Sequence, residues 1–564
     1  MALRAALLQC FVLLSAAAIW PIIATAAKAQ GAMAGEIGRI EVADPTRPAD
    51  GTIHPAAAAA MAHGPLPLSA AEAAQEAGLD RRAHRQLLRP GAPHSVQPAA
   101  PQSIVVFPGE KYPTSFRTSE ATGAKGPSRF VQAVNLKAAI YDGLGNVRDS
   151  GPLTTLAGLH RSVATSGPHI IWDPDTNRFY YTVSASAGAS ENRIAFGFSR
   201  GVHPNNLTSD WCHYTYNYAS RLPLFVRIGN SRHFMIIGTN AFQPSYVGSD
   251  INAISKPPPG TTCPSTGSFK TGTVFTIRNS GGFLVSSPVP ANQIDDLPTG
   301  YVLARHGSGI LDLPSNKLWI FNVTRDSATG NPLFSPARQL TVPNYGVPAA
   351  AATQPSAAGK PNVTLRTLDA RLGQAVQARN PRRPAGVFSF WTQHTVQHPS
   401  ENRSIIRWYE IDPAPVTPVV LSTGTVGEQA GSVGTFYFNG AISPDRRKDG
   451  ATKQFGDSFV INYNFSSAAN DINPSIGVAS SVRGRPLTFR TVKKGVGPYH
   501  DLSCPNNGDV CNWAGASAAP DPRPDALRPR PERGVVWGTN QYSGVRNPRP
   551  DRTDWRTWIF GHQP

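Results

Sequence analysis

Ile171-Trp-Asp-Pro-Asp-Thr-Asn-Arg-Phe-Tyr-Tyr181 reads as strand, acidic turn, strand. Asp, Asn and Pro supply the turn, and the aliphatic and aromatic flanks suit a pleated surface. The same logic recurs at Ala139-Ile-Tyr-Asp-Gly-Leu-Gly-Asn-Val147 and at Leu311-Asp-Leu-Pro-Ser-Asn-Lys-Leu-Trp-Ile-Phe321. Other short runs rich in Val, Ile, Phe, Tyr and Trp lie at 130–135, 193–199, 224–228, 233–239, 273–278, 301–305, 387–392, 405–411, 459–465 and 534–540. Gly, Pro, Asn and Asp separate them, and no stretch beyond residue 100 keeps an amphipathic helical period for three turns. Hairpins recurring over some 460 residues predict an all-β fold, a single six- or seven-bladed β-propeller over 101–564, with roughly 60–75 residues per blade. Two tandem β-sandwiches are the competing architecture, but no Pro/Ser-rich linker divides the region.

Composition agrees. Of 564 residues, 51 are Gly and 52 Pro, and charged residues make up 16%. Helical bundles need fewer breakers and more charge than this. The first 29 residues read as a secretory signal: Arg4, an apolar run from Ala5 to Ile23, then Ala27-Lys28-Ala29 before Gln30. Residues 30–100 contain no Phe, Tyr or Trp and are rich in Ala and Pro, so a disordered linker is expected. Within it, Ser69 and Glu72 cap a predicted short helix at 69–89, stopped by Pro90. No later segment reaches the length of a membrane helix. A secreted or periplasmic location follows.

Cys10 leaves with the signal, and Cys212, Cys263, Cys504 and Cys511 remain. An even number in an exported chain favours disulfides. The short Cys504–Cys511 loop suits a local bridge, which leaves Cys212–Cys263 to close a long one. There is no CxxC pair for zinc. The net charge of +17 comes mainly from Arg, much of it between Arg523 and Arg556. Export and the lack of a recognition helix argue against nucleic acid and leave anionic glycans or envelope polymers as partners.

Several segments together resemble a group of large exported bacterial propeller proteins related to the sialidase-like propellers. They are Phe130-Val-Gln-Ala-Val-Asn135 leading to Ile140-Tyr-Asp142, the hairpin from His169 to Phe179, Arg193-Ile-Ala-Phe-Gly-Phe-Ser199, Ile406-Arg-Trp-Tyr-Glu410 and Trp555-Arg-Thr-Trp-Ile559. The resemblance covers residues 127–560 and implies a propeller; many of the group have no assigned activity. Where such proteins often carry Trp-Gly-Asp-Tyr-Ser, this chain reads Trp513-Ala-Gly-Ala-Ser517, so an acid and its Tyr neighbour are missing. Sialidase Asp-box repeats are absent, which limits the link to architecture.

A glycosidase needs two carboxylates roughly 5–10 Å apart. The acids on or beside predicted strands are Asp173, Asp369, Glu410 and Asp457, and Glu410 and Asp369 are the catalytic candidates. Arg371, Arg379, His394 and Arg407 form the expected anionic-ligand patch, since guanidinium groups grip carboxylate and sulfate in pairs of hydrogen bonds. Structural ion pairs would use the same residues. Asp173, Asp175 and Asn177 have the spacing of a calcium loop, but Arg178 and Ser184 occupy positions where Gly and Glu are wanted, so no metal is expected. His213-Tyr214 is the dipeptide a lyase would use. No Gly-x-Ser-x-Gly elbow or phosphate loop occurs, and no cofactor is implied. The reading is a propeller that binds a glycan or other anionic polymer, with glycoside hydrolase or lyase activity as an added capability. A non-catalytic protein-interaction scaffold is the alternative.

Overall fold

The computed structural model describes residues 38–49, 103–111 and 119–564, apart from 244, 259–260, 308–314, 349–350, 357–361, 450–452, 501–503, 505, 524–533 and 547–552. The expected signal at 1–29 and helix at 69–89 lie outside these residues. The described chain is almost entirely β and forms seven successive antiparallel blades of four or more strands, the fourth and fifth joined by a parallel pairing of Ala291–Gln293 with Ala375–Gln377. Their innermost strands are Thr122–Lys125, Ala164–Asp173, Leu222–Asn230, Val285–Gln293, Leu372–Gln377, Phe436–Pro444 and Ser517–Pro520. Each contacts the next, and the last contacts the first, so the sheets close as a seven-bladed propeller around a channel. Each blade then adds strands outward, as in Leu222–Asn230, Phe234–Phe242, Tyr246–Ser255 and Thr271–Val274 of the third.

The core is not central. It is divided into hydrophobic seams between neighbouring blades. The opening hairpin shows why its strands are apolar at nearly every position. Trp172, Phe179 and Tyr181 point into the seam with the first blade, while Ile171 and Tyr180 point into the seam with the third. A strand buried on both faces has no polar side to alternate with.

The ring is closed by an early segment. Ser103–Lys111 pairs antiparallel with Thr553–His562 and becomes the outermost strand of the seventh blade. Inside the stretch read as linker, residues 38–49 are also in place. Ile40–Val42 adds a fifth strand to the second blade through its pairing with Trp211–Ala219. Ala43 is buried there, and Arg47 pairs with Glu191 at 2.6 Å. A short edge strand needs only one apolar contact and a backbone ladder, neither of which composition reveals.

Some strand boundaries differ from the sequence expectation, as at 534–540, where the strand begins at Val536. The run at 273–278 gives a strand only over Thr271–Val274, because Thr276 takes a left-handed φ of 53° and bends the chain inward. The run at 387–392 begins late: the Val387 N–H turns back to the Pro384 carbonyl, and the strand is Phe390–Gln397.

Both disulfides have the expected pairing, Cys212–Cys263 and Cys504–Cys511. Two disulfides fit an extracellular or periplasmic protein. Among the described residues no helix is long and apolar enough to cross a membrane. The 51-residue separation of Cys212 and Cys263 implies that the bridge contributes about 4 kcal/mol by restricting the unfolded chain. Replacing both by Ser is expected to lower the urea midpoint accordingly, and a change below about 1 kcal/mol would refute that estimate.

Candidate functional site

The innermost strands run in one direction, so the channel has a near face where they begin and a far face where they end. At the far face a buried polar residue stands at or just after the end of each of the seven strands: Lys125, Asp173, Asn230, Gln293, Gln377, Asp445 and Asp521. They staple the blades together. Asn230 Nδ2 donates to Asp173 Oδ1 at 3.0 Å, and the Gln293 N–H donates to Asn230 Oδ1 at 2.7 Å. Gln377 Nε2 donates to Asp295 Oδ2 at 2.7 Å, and the Gly534 N–H donates to Asp445 Oδ2 at 3.0 Å. Burial pushes Lys125 down to about 8, with Asp521 opposing the shift.

The far mouth of the channel is a cavity of about 370 Å³ lined by Asp173, Arg232, Lys256, Asp295, Arg379 and Arg446, among others. A second hollow of about 310 Å³ shares Asp175, Arg232 and Lys256 with it and continues outward past Lys270 and Arg325. The acids of this groove are engaged. Lys256 Nζ, itself 3% exposed, donates to Asp173 Oδ2 at 2.8 Å and to Asp175 Oδ2 at 3.1 Å. Asp296 is gripped by Arg232 at 2.8 Å, and Asp295 accepts the Arg379 backbone N–H at 2.6 Å as well as Gln377. The turn with calcium-loop spacing therefore holds a lysine ammonium. Among the described residues no cluster of His, Cys, Asp and Glu has metal-binding geometry.

The near face is different. Its cavity, about 60 Å³, is lined by Glu120, Phe225, Arg227, Arg371, Gln393 and Asn439 with Leu368, Gly373, Thr395, Gly440, Ala514, Gly515 and Ala516. Five lining residues take left-handed backbone: Glu120 (φ 41°), Phe225 (54°), Leu368 (66°), Asn439 (50°) and Gly515 (97°). β-Bulges at Phe225 and Asn439 interrupt the ladders of the third and sixth blades. Bulges re-aim side chains, and such strain persists only where packing dictates it. Here they turn Phe225 and its neighbour Arg227 toward the lumen. The Arg227 and Arg371 guanidinium carbons lie 4.0 and 4.7 Å from the Phe225 ring centre.

The sequence candidates do not form one site. Arg371 and Asp369 pair side by side at the near face, 2.6 Å between Arg371 Nη2 and Asp369 Oδ2. Burial would raise the Asp369 carboxyl, but Arg371 and then Arg305 outweigh it and hold it at about 2. Arg379 is at the opposite face, separated from Arg371 by the innermost strand Leu372–Gln377. His394 is enclosed, with Nδ1 donating to the Ala370 carbonyl and Nε2 accepting from the Tyr409 hydroxyl, both at 3.0 Å. Arg407 donates to the Asn344 carbonyl at 2.5 Å. The expected patch is thus divided: Arg371 and Arg379 lie at opposite ends of one strand, while His394 and Arg407 are cross-strand partners, the first enclosed and the second turned to the Asn344 carbonyl.

Glu410 and Asp457 do share a groove of about 790 Å³ between the fifth and sixth blades, beside Trp391, Trp408 and Phe459. Glu410 is held there by several donors. It accepts from Asn380 Nδ2 at 2.7 Å, from Ser389 Oγ at 2.7 Å, and from both Arg383 Nε and Nη2. Asp457 lies 3.5 Å from Arg483 and accepts from the Ser458 hydroxyl at 3.1 Å. Four hydrogen bonds, two of them from Arg383, fix the Glu410 carboxylate in place, as the structural ion-pair reading expects. His213 is likewise occupied, by Tyr181 Oη and the Thr208 carbonyl at 3.0 Å each.

Sequence reasoning missed Arg232, Lys256, Asp295 and Arg446 at the far mouth and Glu120, Phe225 and Arg227 at the near one. The altered Trp513–Ser517 segment was a usable signal, because Ala514, Gly515 and Ala516 line the near cavity. Gly515 is obligatory: a Cβ there would stand 2.1 Å from the Ala121 nitrogen and 2.2 Å from the Glu120 carbonyl carbon. The missing acid could not fit beside Glu120.

No family model and no curated protein matches the chain. Among solved structures it is similar to an exo-β-1,3-galactanase from Clostridium thermocellum, with 8% identity and a TM-score of 0.30 over 68% of this chain and 90% of that one. It is also similar to an endo-1,5-α-L-arabinanase from Thermotoga petrophila RKU-1, with 10% identity and a TM-score of 0.26 over 79% and 98%. An N-acetylgalactosamine deacetylase from F. plautii has 8% identity and a TM-score of 0.28 over 82% and 94%. At such scores these likenesses carry no argument about chemistry, which rests on the residues described above.

Proposed function

We propose that this propeller is a binding module for an acidic extended polymer, such as a uronate-bearing or sulfated glycan, laid along the far-face groove. The observation that carries the reading is the imbalance of engaged charge. Asp173, Asp175, Asp295 and Asp296 are all hydrogen-bonded within the groove. Arg379, Arg446, Lys270 and Arg325 have no hydrogen-bonded carboxylate among the described residues, although Asp295 attracts Arg446 at longer range. Burial pushes Arg446 down, so pairing with an incoming anion would relieve a cost the protein already bears. A net charge of +17 adds long-range attraction. The ion pair and hydrogen bonds that hold Glu410 favour binding over hydrolysis, and the resemblance to exported sialidase-like propellers enters this reading only through its ring architecture.

Binding to polygalacturonate and to heparin, read by isothermal titration, is expected to fall steeply between about 50 and 300 mM salt, because exposed charges are screened over about 8 Å at physiological strength. Arg379→Ala with Arg446→Ala is expected to weaken it about tenfold or more, roughly 1.4 kcal/mol, with an unchanged melting temperature. Equal binding of neutral dextran, or no effect of the double substitution, would overturn the proposal.

A further inference from the structure

The outer hollow of the far-face groove, about 310 Å³, is lined by five basic side chains, Arg232, His233, Lys256, Lys270 and Arg325, and among the described residues by one acid, Asp175. Two of the five are taken, Arg232 by Asp296 and Lys256 by Asp173 and Asp175. His233, Lys270 and Arg325 come from separate segments, and their side chains make no hydrogen bond or ion pair among the described residues. Arg325 is aimed by its turn. The adjacent acid, Asp326, commits Oδ1 to the Ala328 and Thr329 N–H groups at 2.9 and 2.7 Å. That turn places Gly330 (φ 77°) under the guanidinium, where a Cβ would stand 3.3 Å from Arg325 Nη2. Lys270 is anchored through its backbone: its N–H donates to Ser255 Oγ at 2.9 Å, and its carbonyl accepts the Ser255 N–H at 2.8 Å. The His233 carbonyl accepts the Lys256 N–H at 2.9 Å, and the half-buried imidazole packs edge-on to Phe234. Burial pushes His233 below its ordinary value, Arg325, Arg232 and Lys256 add to the shift, and Asp296 opposes it.

A carboxylate has two oxygens, and one guanidinium meets both. A sulfate ester has three terminal oxygens around a tetrahedral centre and accepts from donors on three sides. Building on the polyanion reading of this groove, we infer that the outer hollow is a subsite for one sulfate ester of the glycan, gripped by Lys270, Arg325 and His233. The glycan is then a sulfated one, not one charged by uronates alone. The ester's charge offsets the cations around His233, so the imidazole takes up a proton as the ligand binds and becomes the third charged donor. Pro257 and Pro258 give the hollow a rigid wall for the sugar ring. The volume lies at the lower end of small-ligand pockets, roughly 300–1,000 Å³, and suits a single sulfated monosaccharide unit.

Isothermal titration of the full chain with chondroitin sulfate and with unsulfated chondroitin, which share one backbone, tests the assignment. The sulfated polymer is expected to bind at least about tenfold more tightly. Lys270→Ala with Arg325→Ala is expected to weaken the sulfated polymer about tenfold and the unsulfated one less than about threefold. Both side chains are exposed, so the fold is expected to survive. Lowering the pH from about 7.5 to about 6.0 is expected to tighten the sulfated polymer about threefold, because a proton taken up on binding favours the complex as pH falls. His233→Gln is expected to remove that gain. Equal affinity for the two polymers, or a sulfate preference that survives the double substitution, would overturn the subsite and leave polyanion binding by the groove standing. An affinity indifferent to pH over this range would remove His233 from the site. Binding of neither polymer would overturn the reading of the groove itself, and the subsite with it.

Discussion

A chain lacking residues 1–111 is expected to lose about 5 kcal/mol and to melt roughly 10 °C lower, because the ring then has no closing strand. Ser103–Lys111 is the outermost strand of the seventh blade, paired from Ser103 with His562 to Lys111 with Arg556. Without it the backbone of Thr553–His562 becomes an open edge, and open edges invite pairing between molecules. The shortened protein should therefore also aggregate on heating. Removing only residues 1–49 is the control: it takes away Ile40–Val42, a three-residue strand on the outside of the second blade, and should shift the melting temperature by no more than a few degrees. A synthetic peptide of residues 101–112 should restore part of the lost stability in trans. If the long truncation melts with the full chain, closure by this strand is not what holds the ring together.

The second large effect is loss of stability in mild acid. His169, His394 and His562 are buried, and burial pushes each down to about 3; Arg227 acts in the same direction on His169, Arg407 and Arg305 on His394, and Arg490 on His562. His169 Nδ1 accepts the Ile228 N–H at 3.1 Å, and His394 accepts from the Tyr409 hydroxyl, so both rings are built in as neutral bases. Below about pH 6.5 the unfolded chain takes up protons that the folded protein refuses. The contribution is thus complete above that pH and is lost as pH falls toward 3. Each histidine costs about 1.4 kcal/mol per pH unit, so three together give a slope near 4 kcal/mol per unit. Against a typical total of about 5–15 kcal/mol, unfolding is expected before pH 4. Urea titrations at pH 7.5, 6.0 and 5.0 measure the slope, and His394→Gln should reduce it by about a third. A flat profile between pH 6.5 and 5 would show that these rings can be charged in place.

The second and third strands of the blades were legible in the chain. Phe179-Tyr-Tyr181, Ile194–Phe198 and Trp319–Phe321 are apolar along their length because they fill seams on both sides. That single requirement writes aromatic and β-branched residues into consecutive positions, and the turns between them are marked by Asp, Asn and Gly. The paired cysteines were equally open to reading, since arithmetic left few partners. Of the innermost strands, those at Ile171–Asp173 and 224–228 were legible and others were not. Thr122-Gly-Ala-Lys125, Leu372-Gly-Gln-Ala-Val-Gln377 and Ser517-Ala-Ala-Pro520 look like loop, because seven strands crowd one axis and only small or hydrogen-bonding side chains fit there.

Blade number followed from how those strands meet, a property of the closed ring with no local trace. The sites depended on the same closure. Arg371 and Arg379 are eight residues apart and serve opposite ends of the channel, while Glu120, Arg227 and Gly515 come from three distant segments to one cavity. Sequence alone determined the strand class, the turns and the disulfides, since each answers to local burial or pairing. Which charges face a ligand was decided only when the ring brought seven strand ends around one channel.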